Sequence, residues 1–160
     1  VLIVEDNIIN LKLLEAFVKR LKVRWQTAMN GREAVNKWRA GGFHLVLMDI
    51  QLPIMSGLEA TREIRRLERV NSIGVFSGSA GDAVAAAGKT EPKADVNEDD
   101  KLTNLEVFKS PVIIVALTAS SLQSDRHEAR GAGFNYFLPN VRPPPPPPPS
   151  KYLHSIDVAY

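Results

Sequence analysis

HLVLMD, residues 44–49, is a short apolar run that ends on a carboxylate, and it reads as a strand delivering Asp49 at its carboxyl end. Upstream, Gly41-Gly42 closes a helix whose start is marked by Asn30 and Glu33, a reciprocal cap spacing ahead of Ala34, Val35 and Trp38. Before that helix, VRWQT (23–27) alternates apolar and polar residues as a half-buried strand does. Residues 8–20 carry Leu11, Leu14, Val18 and Leu21 near helical spacing, and VLIV (1–4) forms a first strand that stops at Glu5-Asp6. Downstream, 58–69 reads as a helix with Leu58, Ile64 and Leu67 on its apolar side. VIIVAL (112–117) is nearly all apolar and β-branched, as a buried strand is. A helix over 121–131 and a strand over 134–138 (FNYFL) complete five strand signals.

Strands that alternate with helices predict a parallel sheet covered on both faces. In such sheets functional residues gather beyond the carboxyl ends of the strands. Glu5, Asp6, Asp49 and Thr118 all fall there, although they are far apart in sequence. Taken singly, Glu5, Asp6 and Thr118 are each equally well read as a polar residue that ends a strand; with Asp49 they converge on one edge.

Bulk properties narrow the function classes. A chain of 160 residues builds one hydrophobic core rather than two. Its formal net charge of +2 gives no argument for nucleic acid or an anionic membrane. With no cysteine, thiolate metal sites, disulfides and cysteine nucleophiles are excluded. VLIV meets Glu5 and Asp6 at once, so that run is neither a signal peptide nor a membrane span.

Carboxylates crowded into one crevice repel one another and call for a cation. An all-oxygen donor set suits Mg²⁺ or Mn²⁺ rather than zinc. Mg²⁺ keeps waters and phosphate oxygens beside one or two carboxylates, so such a site invites a phosphoryl donor. An aspartate can then act as nucleophile and form an acyl phosphate.

The segments VLIVEDN (1–7), LMDIQLPIMSG (47–57) and ALTA (116–119) resemble the receiver domains of response regulators. The resemblance covers residues 1–69 and 111–138 and implies a flavodoxin-like (CheY-like), doubly wound, five-stranded parallel sheet. It implies Asp49 as the phosphorylated residue, and Glu5, Asp6 and Asp49 as Mg²⁺ ligands with the Gln51 backbone carbonyl. Thr118 matches the switch hydroxyl and Phe137 the aromatic switch position. Pro53 and Gly57 match the residues that shape the loop after the phosphorylated aspartate, where a fixed φ and a permissive φ are suited to the role. More narrowly, MDIQLPIMSGLEATREIRRLER is similar to fungal osmostress regulators acting on a MAP kinase kinase kinase. That likeness implies a cytoplasmic module with a histidine-phosphotransfer protein as donor, that kinase as output partner, and self-association into a homodimer as a further option.

Three features depart from the family pattern. Asn140 stands where receivers carry a lysine, and asparagine donates a hydrogen bond without supplying a positive charge. Residues 71–110, with four lysines against seven carboxylates, read as a flexible surface insertion before the fourth strand. The receiver domain is thereby expected over 1–141, with a proline-rich tail over 142–160. Seven consecutive prolines, Pro143–Pro149, replace the start of an expected fifth helix, so that helix is atypical or missing. Three function classes remain: a phosphate-accepting receiver, a phosphate-independent docking module that keeps only the surfaces, and a metal-dependent phosphatase or hydrolase.

Overall fold

Five short strands, β1 (Leu2–Val4), β2 (Gln26–Ala28), β3 (Leu45–Asp49), β4 (Ile113–Thr118) and β5 (Tyr136–Pro139), pair in parallel in the order β2-β1-β3-β4-β5. The computed structural model describes residues 1–74, 97–118 and 123–139. Helices α1 (Ile8–Arg20), α2 (Gly31–Arg39), α3 (Gly57–Val70) and α4 (Gln123–Ala132) make the crossovers. The expected alternation and the parallel, doubly wound sheet are therefore observed.

Strand alternation divides the core in two. Leu2, Val4, Val46, Met48, Ile114 and Ala116 pack on one side with Trp38 of α2, Ile64 and Leu67 of α3 and Ala129 of α4. Ile3, Leu47, Val115 and Leu117 face the other way, against Leu11 and Val18 of α1. Helix starts obey the cap signals. Asn30 accepts from the Glu33 N–H at 2.8 Å, while the Glu33 carboxylate reaches the Met29 N–H rather than that of Asn30. Ser56 and Glu59 form a complete reciprocal capping box at α3.

Two sequence expectations are corrected. The second strand runs over Gln26–Ala28 instead of 23–27, because its register is set by Leu2 opposite Gln26 and Val4 opposite Ala28. Leu21, expected on the apolar side of α1, is 59% exposed, whereas Leu11 and Val18 are buried.

The stretch expected to be a flexible insertion is anchored at both described ends; 75–96 lies outside the described residues. Arg66 of α3 grips Asp100 with two hydrogen bonds of 2.7 and 2.6 Å. Asn71 donates to the carbonyl of Asp100 and accepts from the N–H of Leu102. Leu102 is buried, and Phe108 stacks at a tilt on Trp38 with ring centroids 5.2 Å apart. Periodicity cannot show such anchoring, which rests on isolated side chains. Nearby, the buried Glu68 accepts from the N–H of Val112 at 2.7 Å and pairs with Arg65 at 2.6 Å. Arg65 also donates to the Gly133 carbonyl and the Asn135 side chain, so one network ties α3 to the entries of β4 and β5. The expected proline-rich tail lies outside the described residues.

Because Leu102 is buried in the main core cluster, Leu102→Ala is expected to lower unfolding free energy by about 2–4 kcal/mol in urea denaturation. A change under about 0.5 kcal/mol, the size for a surface site, would mean that this segment does not pack on the domain.

Candidate functional site

Register brings the acidic residues together. β1 and β3 pair with Val4 opposite Met48, so Glu5 and Asp6 leave β1 beside the point where Asp49 ends β3. One carboxylate oxygen from each of the three lies within 4.8 Å of the others. Among the described residues this is the one cluster of metal-ligating side chains.

Glu5 is the deepest of the three, with 2% of its surface exposed. Its Oε1 accepts from the Asn7 N–H and from the Asn10 side chain, each at 3.2 Å. Asn7 also caps α1, accepting from the Ile9 N–H at 2.9 Å, so one residue starts the helix and orients an acid. Asp49 Oδ1 accepts from the Gln51 N–H at 3.2 Å. Burial raises the Glu5 carboxyl above its ordinary value, and the negative charges of Asp49 and Asp6 raise it further. Asp49 is raised by burial first and by Asp6 in addition, against hydrogen bonds from the Gln51 and Ile50 backbone that lower it. These groups are held together against their own repulsion, which a cation would offset. An all-oxygen set of this kind fits a hard divalent ion and not a thiophilic one.

Two glycines set the loop after Asp49. A Cβ on Gly57 would lie 2.0 Å from the Asp49 carbonyl oxygen, and its N–H donates to the Ile50 carbonyl at 3.0 Å. A Cβ on Gly31 would lie 2.4 Å from the Met55 carbonyl, which accepts the Gly31 N–H at 3.0 Å. The loop is thus clasped from α2 and from α3. The unusual φ expected of Gly57 is not observed, since it opens α3 without a positive φ and is needed for close approach instead. The need for Gly31 is invisible in the sequence because its partner is distant along the chain. Pro53 begins a tight turn, its carbonyl accepting from the Met55 N–H at 2.7 Å.

The other expected residues lie on or near the same edge. Thr118 is the last residue of β4, in register with Pro139, on the same sheet edge as Asp49. Phe137 lies in β5, partly buried against the main core, with its ring 6.4 Å from that of Phe134. The exposed Gln51 continues the turn after Asp49. Asn140, expected at the family's lysine position, lies outside the described residues. A feature that sequence reading misses is a stripe along α1. Ile9, Leu13, Phe17 and Leu21 recur every fourth residue and are each at least 59% exposed, with Ile8 beside them. Apolar residues on nearly every side of this helix hide which ones face solvent.

The family model described as "Response regulator receiver domain" matches residues 1–95. The chain belongs to that family. It is 74% identical over 141 residues to the response regulator SSK1 of Verticillium dahliae, an alignment covering 86% of this chain. The same alignment covers only 17% of that relative, so the chain spans a small part of its length. Among solved structures, the receiver domain of Ssk1 from Saccharomyces cerevisiae, crystallised with the histidine phosphotransfer protein Ypd1, is 38% identical with a TM-score of 0.63. That match covers 86% of this chain and 75% of the other. The receiver domain of the sensor histidine kinase PA1611 from Pseudomonas aeruginosa, with a magnesium ion in its active-site cleft, is 29% identical with a TM-score of 0.55. There the match covers 86% of this chain and 81% of the other. The receiver fold and the membership in the receiver-domain family expected from the motifs are both found. No helix among the described residues is long and apolar enough to cross a membrane.

Acids raised in the folded state destabilise it once ionised, so their cost grows as pH rises through the raised folded values. It disappears below the ordinary values of 3.8 for Asp49 and 4.5 for Glu5. Without divalent cations, Asp49→Asn is therefore expected to melt higher than the parent at pH 7, with the gap closing as pH falls toward 4. Calorimetry in EDTA checks this, and a gap that widens on acidification would contradict it. Gly57→Ala is expected to cost about 1–3 kcal/mol in urea, since its methyl group overlaps the Asp49 carbonyl.

Proposed function

We propose that the chain accepts a phosphoryl group on Asp49 from a phosphohistidine protein and that the acyl phosphate changes how the domain binds a downstream kinase. The observation that carries this reading is the meeting of Glu5, Asp6 and Asp49 within 4.8 Å at the carboxyl edge of the sheet. The likeness to an Ssk1 receiver crystallised with Ypd1 supports the class of donor.

An oxygen of the Asp49 carboxylate attacks phosphorus as the bond to the donor imidazole nitrogen breaks. The imidazole leaves with the electron pair, and a mixed anhydride is formed on Asp49. Glu5, Asp6 and Asp49, with the Gln51 carbonyl, would hold Mg²⁺, as the magnesium-bound PA1611 receiver supports. When bound, that ion offsets the charge on the phosphoryl oxygens. Asn7 and Asn10 hold Glu5 in place through their hydrogen bonds to its Oε1. Gly57 and Gly31 fix the path of the loop, so that Asp49 presents its carboxylate at the end of β3. We assign the switch hydroxyl to Thr118 and the aromatic response to Phe137.

The exposed stripe Ile9, Leu13, Phe17 and Leu21 supplies an apolar face on α1, which begins two residues after Asp6. We assign this face to the protein donor. The likeness to fungal osmostress regulators supports a MAP kinase kinase kinase as output and the cytoplasm as the place of exchange. The second reading, a docking module that binds partners without phosphate, is favoured by one feature, Asn140 in place of the family lysine.

Incubation with acetyl phosphate and Mg²⁺, then intact-mass measurement, separates the two. Phosphate acceptance predicts one labile phosphoryl adduct that is absent from Asp49→Ala. A folded, Mg²⁺-binding sample that gains no adduct would leave the docking module as the better account.

A further inference from the structure

Ile54 combines two properties that folding alone does not favour. Its φ is +68°, in the left-handed region that β-branched residues rarely occupy. It is also 84% exposed, the most exposed of the large apolar residues among those described. The Met55 N–H donates back to the Pro53 carbonyl at 2.7 Å, which makes Ile54 the centre of a three-residue turn with positive φ, a rare and strained form. Glycine or asparagine would enter that conformation with less strain. No burial compensates the side chain.

The turn is not loose. Gly31 holds the Met55 carbonyl, Gly57 holds the Ile50 carbonyl, and the Ser56–Glu59 capping box fixes the exit into α3. Ile54 is thus a rigidly mounted apolar projection on the loop that leaves Asp49. β1 and β3 are neighbours, so the start of α1, with exposed Ile8 and Ile9, lies on the same sheet edge.

We propose that Ile54 is a specificity-determining contact, kept in a strained and exposed turn to seat the apolar surface of a phosphohistidine protein over Asp49. This rests on the reading of Asp49 as a phosphoryl acceptor and adds a residue that distinguishes a protein donor from a small one. Acetyl phosphate carries only one methyl group and has no extended apolar surface to seat, so it makes no use of Ile54. A protein donor does, and a turn already held in place loses little freedom on docking.

The experiment compares loading of Asp49 in the full chain from phosphorylated Ypd1 and from acetyl phosphate, for the parent, Ile54→Asn and Ile54→Leu. Ile54→Asn is expected to raise the thermal midpoint by about 2–4 °C through relief of the turn. It is also expected to lower the ratio of protein-donor to small-donor rate by tenfold or more. Ile54→Leu, which keeps the apolar bulk, is expected to hold that ratio within about threefold of the parent. An unchanged ratio in Ile54→Asn overturns the inference, as does an equal fall with both donors, which would make Ile54 only a loop-shaping residue. A parent that loads from acetyl phosphate but not from Ypd1 overturns the inference and leaves the acceptor reading standing. A parent that loads from neither donor overturns that reading and the inference together.

Discussion

The parallel pairing of β1 with β3 is the constraint on which the site depends. Leu2, Ile3 and Val4 lie opposite Val46, Leu47 and Met48, and all six are buried. The register decides which core layer each side chain enters, because a slip of one residue would send each to the opposite face. That register also fixes the residues just beyond the strand ends. Glu5 and Asp6 must emerge beside Asp49, and the hydrophobic energy of the two core layers holds three carboxylates within 4.8 Å against their repulsion. Burial first, and the neighbouring carboxylates in addition, raise the Glu5 and Asp49 carboxyls. The site is unfavourable by itself and is kept by the sheet beneath it.

Around that edge, backbone contacts complete the geometry. Gly57 lets α3 start hard against the Asp49 carbonyl, and Gly31 lets α2 start against Met55. Neither contact could accept a methyl group without displacement. The loop between them therefore has little freedom, although it lies at the surface. In the proposed function, a rigid loop beside Asp49 serves transfer chemistry, since the reacting groups must meet in a narrow range of positions.

Much of this is legible in the sequence because it depends on pattern. Apolar runs ending in acids place the strands, and the spacing over 8–20 matches the observed bounds of α1, which Asn7 caps. The acidic trio is implied by strand order, since a parallel sheet gathers its strand ends on one edge. The features that pattern does not reveal depend on contacts between distant residues. The limits of the second strand are hidden because its residues alternate weakly, and only pairing with β1 sets them. Residues 97–110 resemble free insertion, yet Asp100, Leu102 and Phe108 fasten them to α2 and α3 through an ion pair, a buried leucine and an aromatic contact. Their low apolar content conceals that anchoring, because only a few side chains carry it.

α1 shows a further limit of pattern reading. Its apolar residues occupy more of the circumference than one sheet face can cover, so spacing alone finds the helix without deciding what it buries. Leu11 and Val18 face the sheet, while Leu13 and Phe17 stay in water. Solvent-exposed leucine and phenylalanine four residues apart add little to folding, and a charged pair there would serve solubility better. Ile54 obeys the same logic on the neighbouring loop, with backbone strain added to exposure. Packing of the core explains neither group. Both are apolar and sit on the elements that frame Asp49, which is where, in the proposed function, a protein donor approaches.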